Sequence, residues 1–368
     1  MSFFLDNINY LIPSFNEVFA FGIFIIFIFS FFLTGFLTTG LKILSPYNFG
    51  VGIFYFVLFF LSLSFFLHLN FILYLYLIFL LILIFKKFKK IKIIYNFKPK
   101  KHNLHFVFIL FFTFFIFLSA KPHGWDTFSF WLPRLNYILD NNVFPSSGFF
   151  RADYPYSFEL INFSVLHLLG TSVENIPSLL DCLIVILIFF VLIDHLKKKP
   201  KDLSIIFFLL IFLNPLIIHT NSFSAYQDLK LAFIIFLIIT YVCKKKIFLV
   251  KDVKLKDIFI LSCFNSILCV TKNIGIVYFS IISIYFFFIN FYYLKFKLFE
   301  TNNLKKVLIY ILISLSLLIF KGLNYGVDFK GGTLIELRSY DKQITITNLR
   351  HSFMNMNLGD VSVKKFGN

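Results

Sequence analysis

Charge is the first thing this chain is short of. Only 14% of its residues are Asp, Glu, Lys or Arg, 59% are hydrophobic, and mean hydropathy is +0.86. Soluble domains carry about 25% charged residues, so a soluble globular fold is excluded. Acids are scarcer than bases, 18 against 35, for a net charge of +17. There are four cysteines, Cys182, Cys243, Cys263 and Cys269, all in or beside apolar runs and with no C-x-x-C pair. They read as buried thiols and imply no disulfide framework. The lone histidines His123, His167 and His219 form no H-E-x-x-H-like pairing, and no metal-ligand spacing is diagnostic. The strict alternation of a transmembrane barrel is missing. The first apolar run lacks the basic start and small-residue cleavage site of a signal peptide.

Long apolar runs are abundant. A run of about 20 residues crosses a hydrocarbon core of about 30 Å. About ten spans are expected on that basis. They fall near 18–40, 51–68, 70–85, 104–120, 178–194, 203–219, 228–243, 257–271, 276–294 and 307–320. The fold class is therefore an all-α polytopic membrane protein with a short C-terminal external β-α-β fragment. The 59 phenylalanines partly reflect AT-rich codon use, and their stripes are expected to contact lipid.

The lysines sit in short loops between the runs: 86–101, 197–201, 244–246 and 295–306. This is the positive-inside bias of a protein whose partner is a lipid bilayer, and it excludes nucleic acid as the reason for the basic balance. It implies a multi-pass protein of a bacterial inner (cytoplasmic) membrane, with both termini periplasmic. Loops 121–177 and 220–227 then lie outside, as does the tail from Lys321. Residues 158–170 are apolar, but a span there would put the basic segment 197–201 outside. They are expected to form an interfacial or re-entrant helix.

The tail differs in kind. Residues 322–338 read GLNYGVDFKGGTLIELR: turn-forming glycines around an aspartate, then an alternating strand. A helix near 347–357 and a second strand, VSVKKF, follow. Read on its own, Asp328 is a turn residue that binds the following amides, not a catalytic acid.

On the signature Gly326, Asp328, Phe329, Gly331 and Gly332, the tail resembles the start of SecF, the membrane subunit that assists Sec-dependent protein export. The resemblance covers 304–368, about a fifth of the chain. It implies a span, KKVLIYILISLSLLIF, followed by the opening of an external domain, with SecD-like and SecYEG-type translocase subunits as partners. It also implies that the signature is architectural. The family's proton-coupled work depends on five later spans, so this tail is not expected to be competent alone.

The body carries a looser resemblance. Loop 121–177 holds Asp126 just past a span, then aromatics, Arg134, Asp153 and a Tyr-Pro pair before an apolar helix. This is similar to the GT-C superfamily, which transfers sugars from polyprenyl-phosphate donors on the outer face. AYQDLKLAF (225–233) and TKNIG (271–275) add partial matches, though Ile274 stands where the family has an acid. The resemblance, over 104–295, implies Asp126 as base or, with Asp153, as a metal ligand. It implies Arg134 and Lys272 at the phosphate, and Glu159 and Asp228 as secondary acids. No cofactor is established, and a divalent metal stays open. The residues alone allow plainer roles: an interfacial aromatic belt for Trp125, Trp131 and Tyr137, a helix cap for Asp126, and a lipid-phosphate contact for Arg134. Asp228, at the mouth of a span, is expected to face a cavity because an acid beside lipid is costly.

Three regions result: an N-terminal transmembrane extension (1–103), a GT-C-like multi-span region (104–300) and the SecF-like span with the start of its domain (301–368). Such a joint is the pattern expected of a fusion near residue 300.

Overall fold

A computed structural model describes residues 15–86, 131–145, 156–170, 176–196, 227–245, 247, 253–292 and 301–321. All secondary structure among the described residues is helical. The ten helices are α1 (Phe15–Thr39), α2 (Pro46–Leu63), α3 (Leu69–Lys86), α4 (Leu132–Asn141), α5 (Ser157–Leu169), α6 (Ile176–Leu196), α7 (Gln227–Lys245), α8 (Leu255–Cys269), α9 (Gly275–Tyr292) and α10 (Thr301–Lys321). Eight of them coincide with expected spans. The runs 104–120 and 203–219, the Gly-Gly signature and the β-α-β fragment lie outside the described residues. Helices α1, α2 and α3 are long and apolar enough to cross a membrane. By its contacts the chain divides into two units, residues 1–326 and 327–368, and only the first includes described residues.

Helix α2 is the hub of the first unit, packing on α1, α3, α6, α7, α8 and α10. It begins at Pro46, five residues before the expected span, because proline suits a first helical turn and a buried polar turn holds the chain there. Thr39 Oγ1 donates to Asn48 Oδ1 at 2.6 Å, and Asn48 Nδ2 donates to the carbonyls of Lys42 (2.8 Å) and Ile43 (3.2 Å). The α1–α2 contact is close enough to require glycine. A Cβ on Gly35 would collide with the Asn48 carbonyl, and one on Gly52 with that of Phe31.

Phenylalanine serves two purposes here. Phe27, Phe31, Phe56 and Phe60 are buried and meet ring to ring across α1 and α2, with centroids 4.5–5.6 Å apart. Phe19, Phe29, Phe71 and Phe288 are exposed on the bundle's outside. The first set is core packing, not the expected lipid contact, and only the second set is exposed as such contact requires. Offset aromatic pairs pack helices more favourably than their area alone implies.

The two ends of the bundle differ. At one end the stops of α1 and α7 meet the starts of α2 and α8. There Tyr241 donates to Asp257 at 2.6 Å, Lys245 approaches the same carboxylate at 3.6 Å, and Lys244 covers the Tyr47 ring. Lys42, Lys254 and Lys256 lie exposed around them. At the other end Asp228 at the start of α7 meets Lys272, just past α8.

Helix α5 is about 20 Å long by its residue count, too short for a hydrocarbon core of about 30 Å. Residues Ser157 to Leu166 are all buried, against α1, α3, α4 and α6. It is inserted among helices, not laid on a surface.

Candidate functional site

Four helices meet in a cluster of buried charge. Helix α4 is short and amphipathic, and is capped by Asn142, whose left-handed backbone (φ 56°) suits a helix stop. Its carbonyl accepts from Leu69 N at 2.8 Å, tying α4 to the start of α3. Arg134, on the first turn of α4, is fully buried. Its guanidinium lies 4.0 Å from the centre of the Tyr156 ring and 5.4 Å from that of Trp131. Arg134 Nη2 stands 3.4 Å from Glu159 Oε2 on α5. That distance gives Coulomb attraction without a good hydrogen bond.

Glu159 is 3% exposed, and neither carboxylate oxygen has a hydrogen-bond donor among the described residues. Burial pushes its carboxyl up to about 7, against the opposing pull of Arg134 and Lys230. On the far side, Lys230 of α7 pairs with Asp181 of α6, and these two are 1% and 0% exposed. Two basic and two acidic side chains are thus buried together.

Beside this cluster is a cavity lined by Trp131, Leu132, Leu135, Glu159, Asn162, Pro177 and Gln227. Asn162 Oδ1 and Gln227 Oε1, like the Glu159 carboxylate, are buried oxygens with no hydrogen-bond partner among the described residues. Three polar side chains, Glu159, Asn162 and Gln227, thus meet on one small cavity. Next to Gln227, Asp228 carries a third pair. Lys272 Nζ donates to Asp228 Oδ1 at 2.7 Å, and the side chains are 26% and 64% exposed.

The residues expected at a site are thus distributed as follows. Arg134 and Glu159 come together, as do Asp228 and Lys272, and Gln227 links the two groups by sequence and by cavity. Both cations expected at a phosphate have a carboxylate beside them. Trp131 is buried against the Arg134 guanidinium, not set in a surface belt. Asp126, Asp153, Gly326, Asp328, Phe329, Gly331 and Gly332 lie outside the described residues. Asp181, Lys230, Asn162 and Gln227 were not expected. The signal for the first two was an ionisable residue within an apolar run, which is rare without a partner or a function. No group of three or more His, Cys, Asp or Glu side chains that could hold a metal ion occurs among the described residues.

Comparisons with known proteins converge on the other end of the chain. Residues 316–339 match the family described as SecD/SecF GG Motif. A protein translocase subunit SecF from Calditerrivibrio nitroreducens is 50% identical over 58 residues, covering 16% of this chain and 19% of the relative. One from Magnetococcus marinus is 42% identical over 55 residues, covering 15% of this chain and 17% of the relative. The chain spans less than a fifth of the length of the curated relatives it matches. No solved structure matches. Neither relative is a glycosyltransferase, and the family match lies outside 104–295, so the GT-C resemblance gains no support. Together, the apolar helices and these matches make the chain a membrane protein with a SecF-like C-terminal region.

Proposed function

We propose that this protein is a SecF-like component of protein export in a bacterial inner membrane, working with a SecD-like partner and a SecYEG-type translocase. The observation that carries the reading is the GG-motif match beginning inside α10, with 50% identity to a SecF over 58 residues. The two ends of the bundle support an orientation. Exposed lysines gather at the stops of α1 and α7 and the start of α8, which the positive-inside rule places in the cytoplasm. The stop of α10 lies at the opposite end if the helices alternate in direction, so the Gly326 signature faces the periplasm. The expected result is co-purification of the tagged full-length protein with a SecD-like subunit from mildly solubilised membranes of its host. Absence of any such subunit, with normal secretion after deletion of the gene, overturns the reading.

A second reading, sugar transfer from a polyprenyl-phosphate donor by residues 104–295, rests on one observation. Three ion pairs, Arg134–Glu159, Lys230–Asp181 and Lys272–Asp228, involve the neighbouring helices α4 to α7 and the residue just past α8. Under this reading Asp126→Asn abolishes transfer in membranes, and unchanged turnover removes Asp126 from the reaction.

A further inference from the structure

Helix α10 bears the first residues of the GG-motif match, and its polar residues Tyr310 and Ser314 are buried. Asn265 Nδ2 of α8 donates to Ser283 Oγ of α9 at 3.0 Å and to Tyr310 OH of α10 at 2.9 Å. Ser283 Oγ and Tyr310 OH are 3.1 Å apart, closing a triangle across three helices. About two turns further along α10, Ser316 Oγ lies 3.4 Å from Ser266 Oγ, which accepts from Leu317 N at 3.3 Å. The Tyr310 ring stacks on Phe286 at 4.2 Å and 13°. Asn265, Ser266, Tyr310 and Leu317 are at most 1% exposed, whereas Leu308, Leu312 and Ile319 on the other face of α10 are 47–71% exposed.

A bilayer offers no hydrogen-bond partner to a side-chain amide or phenol. Such groups inside a membrane protein therefore fix which helices meet, and in what register. We propose that the packing partner of the SecF-like span is this chain's own body. Helices α8 and α2 form the dock, α9 adds Ser283 and Phe286 to it, and the Asn265–Ser283–Tyr310 triangle sets the depth and rotation of α10. Ser316 and Leu317, the first two residues of the GG-motif match, are held by Ser266. Body and SecF-like span then act as one unit, and the signature starting at Gly326 follows five residues after the last residue of a fixed helix. This holds whether or not the protein serves export, so its test is separate from co-purification with a SecD-like subunit.

The test uses the full-length protein in native membranes, with a protease site inserted between residues 293 and 300. In one arm Ser266→Cys and Ser316→Cys are combined, with each single variant controlling for Cys263 and Cys269. Oxidation followed by cleavage is expected to keep the α10 fragment joined to the body until reductant is added. Fragments that separate under oxidising conditions overturn the proposal. The second arm keeps the native residues: after cleavage in mild detergent, the wild-type α10 fragment stays with the body. Asn265→Ala is expected to raise its release roughly fivefold, the scale of one or two membrane hydrogen bonds. Leu312→Ala, on the outer face, leaves release unchanged. Equal release from all three proteins also overturns it.

Discussion

Asp228 and Lys230 stand two residues apart on α7, and each belongs to an ion pair, yet the two pairs occupy different solvents. Lys230 meets Asp181 with almost no exposure on either side. Asp228 meets Lys272 at 2.7 Å with side chains 64% and 26% exposed. A two-residue step turns a helix by about 200°, so one residue faces the bundle and the other faces away from it. The chemistry of the partners is the same, but the cost of separating them is not. Two charges taken out of water depend on each other, and removing one strands the other. Two charges at a surface fall back on water and salt. The buried pair is therefore a structural lock among α6, α7 and, through the neighbouring Glu159, α5. The exposed pair is the part of the cluster that an incoming anion could open.

The sharpest way to break this contrast is Lys230→Met, which removes the lysine paired with Asp181. A loss of about 3–5 kcal/mol is expected, read as a drop in the thermal midpoint in detergent. Adding Asp181→Leu should recover most of it, because a well-packed apolar pair replaces a buried ionic one at little cost. If the single variant melts like wild type, the pair is not a lock.

Glu159 provides a second test, through pH. Its carboxyl is raised from an ordinary 4.5 up to about 7, chiefly by burial. The folded state therefore holds the proton more tightly than the unfolded chain does. The associated stability is present in full below pH about 4.5, falls away as pH rises through about 7, and is constant above that. The full swing is on the order of 3 kcal/mol. Glu159→Gln cannot ionise, so its stability relative to wild type should climb over that window and level off beyond it. A melting profile parallel to wild type from pH 4 to 8 would remove burial as the dominant influence on this acid.

Arg134 sits between the two extremes, buried but held as much by rings as by charge. Arg134→Lys keeps the cation and loses the flat guanidinium that lies 4.0 Å from the Tyr156 ring centre. A loss of about 1–2 kcal/mol is expected, smaller than for Lys230→Met. A larger loss would mean that bonds made by the guanidinium matter more than its charge.

How much of this was legible in the chain depended on whether the signal was local. Apolar runs located eight of the ten described helices, because hydrophobic length is a property of one segment. Lysine placement set α5 apart from the spans, and its 13 residues are indeed too few to cross. The start of α2 was misplaced by five residues because Asn48, not hydropathy, holds the α1–α2 turn. Asp181 was visible as an acid within IPSLLDCLIVIL, but its pairing with Lys230 is a contact between α6 and α7, and no sequence spacing encodes it. Asn162 and Gln227 carry neither charge nor motif, and only the shared cavity marks them. The GG signature was readable without any structure because its glycines and aspartate are contiguous.

The smallest expected effect is also the most discriminating. Lys272→Ala should change stability by no more than about 1 kcal/mol, as partly exposed pairs do, and less still as salt is raised. Its stability cycle with Asp228→Ala should return a coupling of the same size. The same variant separates the two functional readings. If the pair only trims the surface, Lys272→Ala leaves secretion and any sugar transfer untouched. If Lys272 swings from Asp228 to a phosphate, transfer falls at least tenfold while the melting point barely moves, because the lysine's charge would then be used mainly in the bound state. A large loss of stability instead would show that this end of α7 is far less exposed to water than its 64% figure for Asp228 implies.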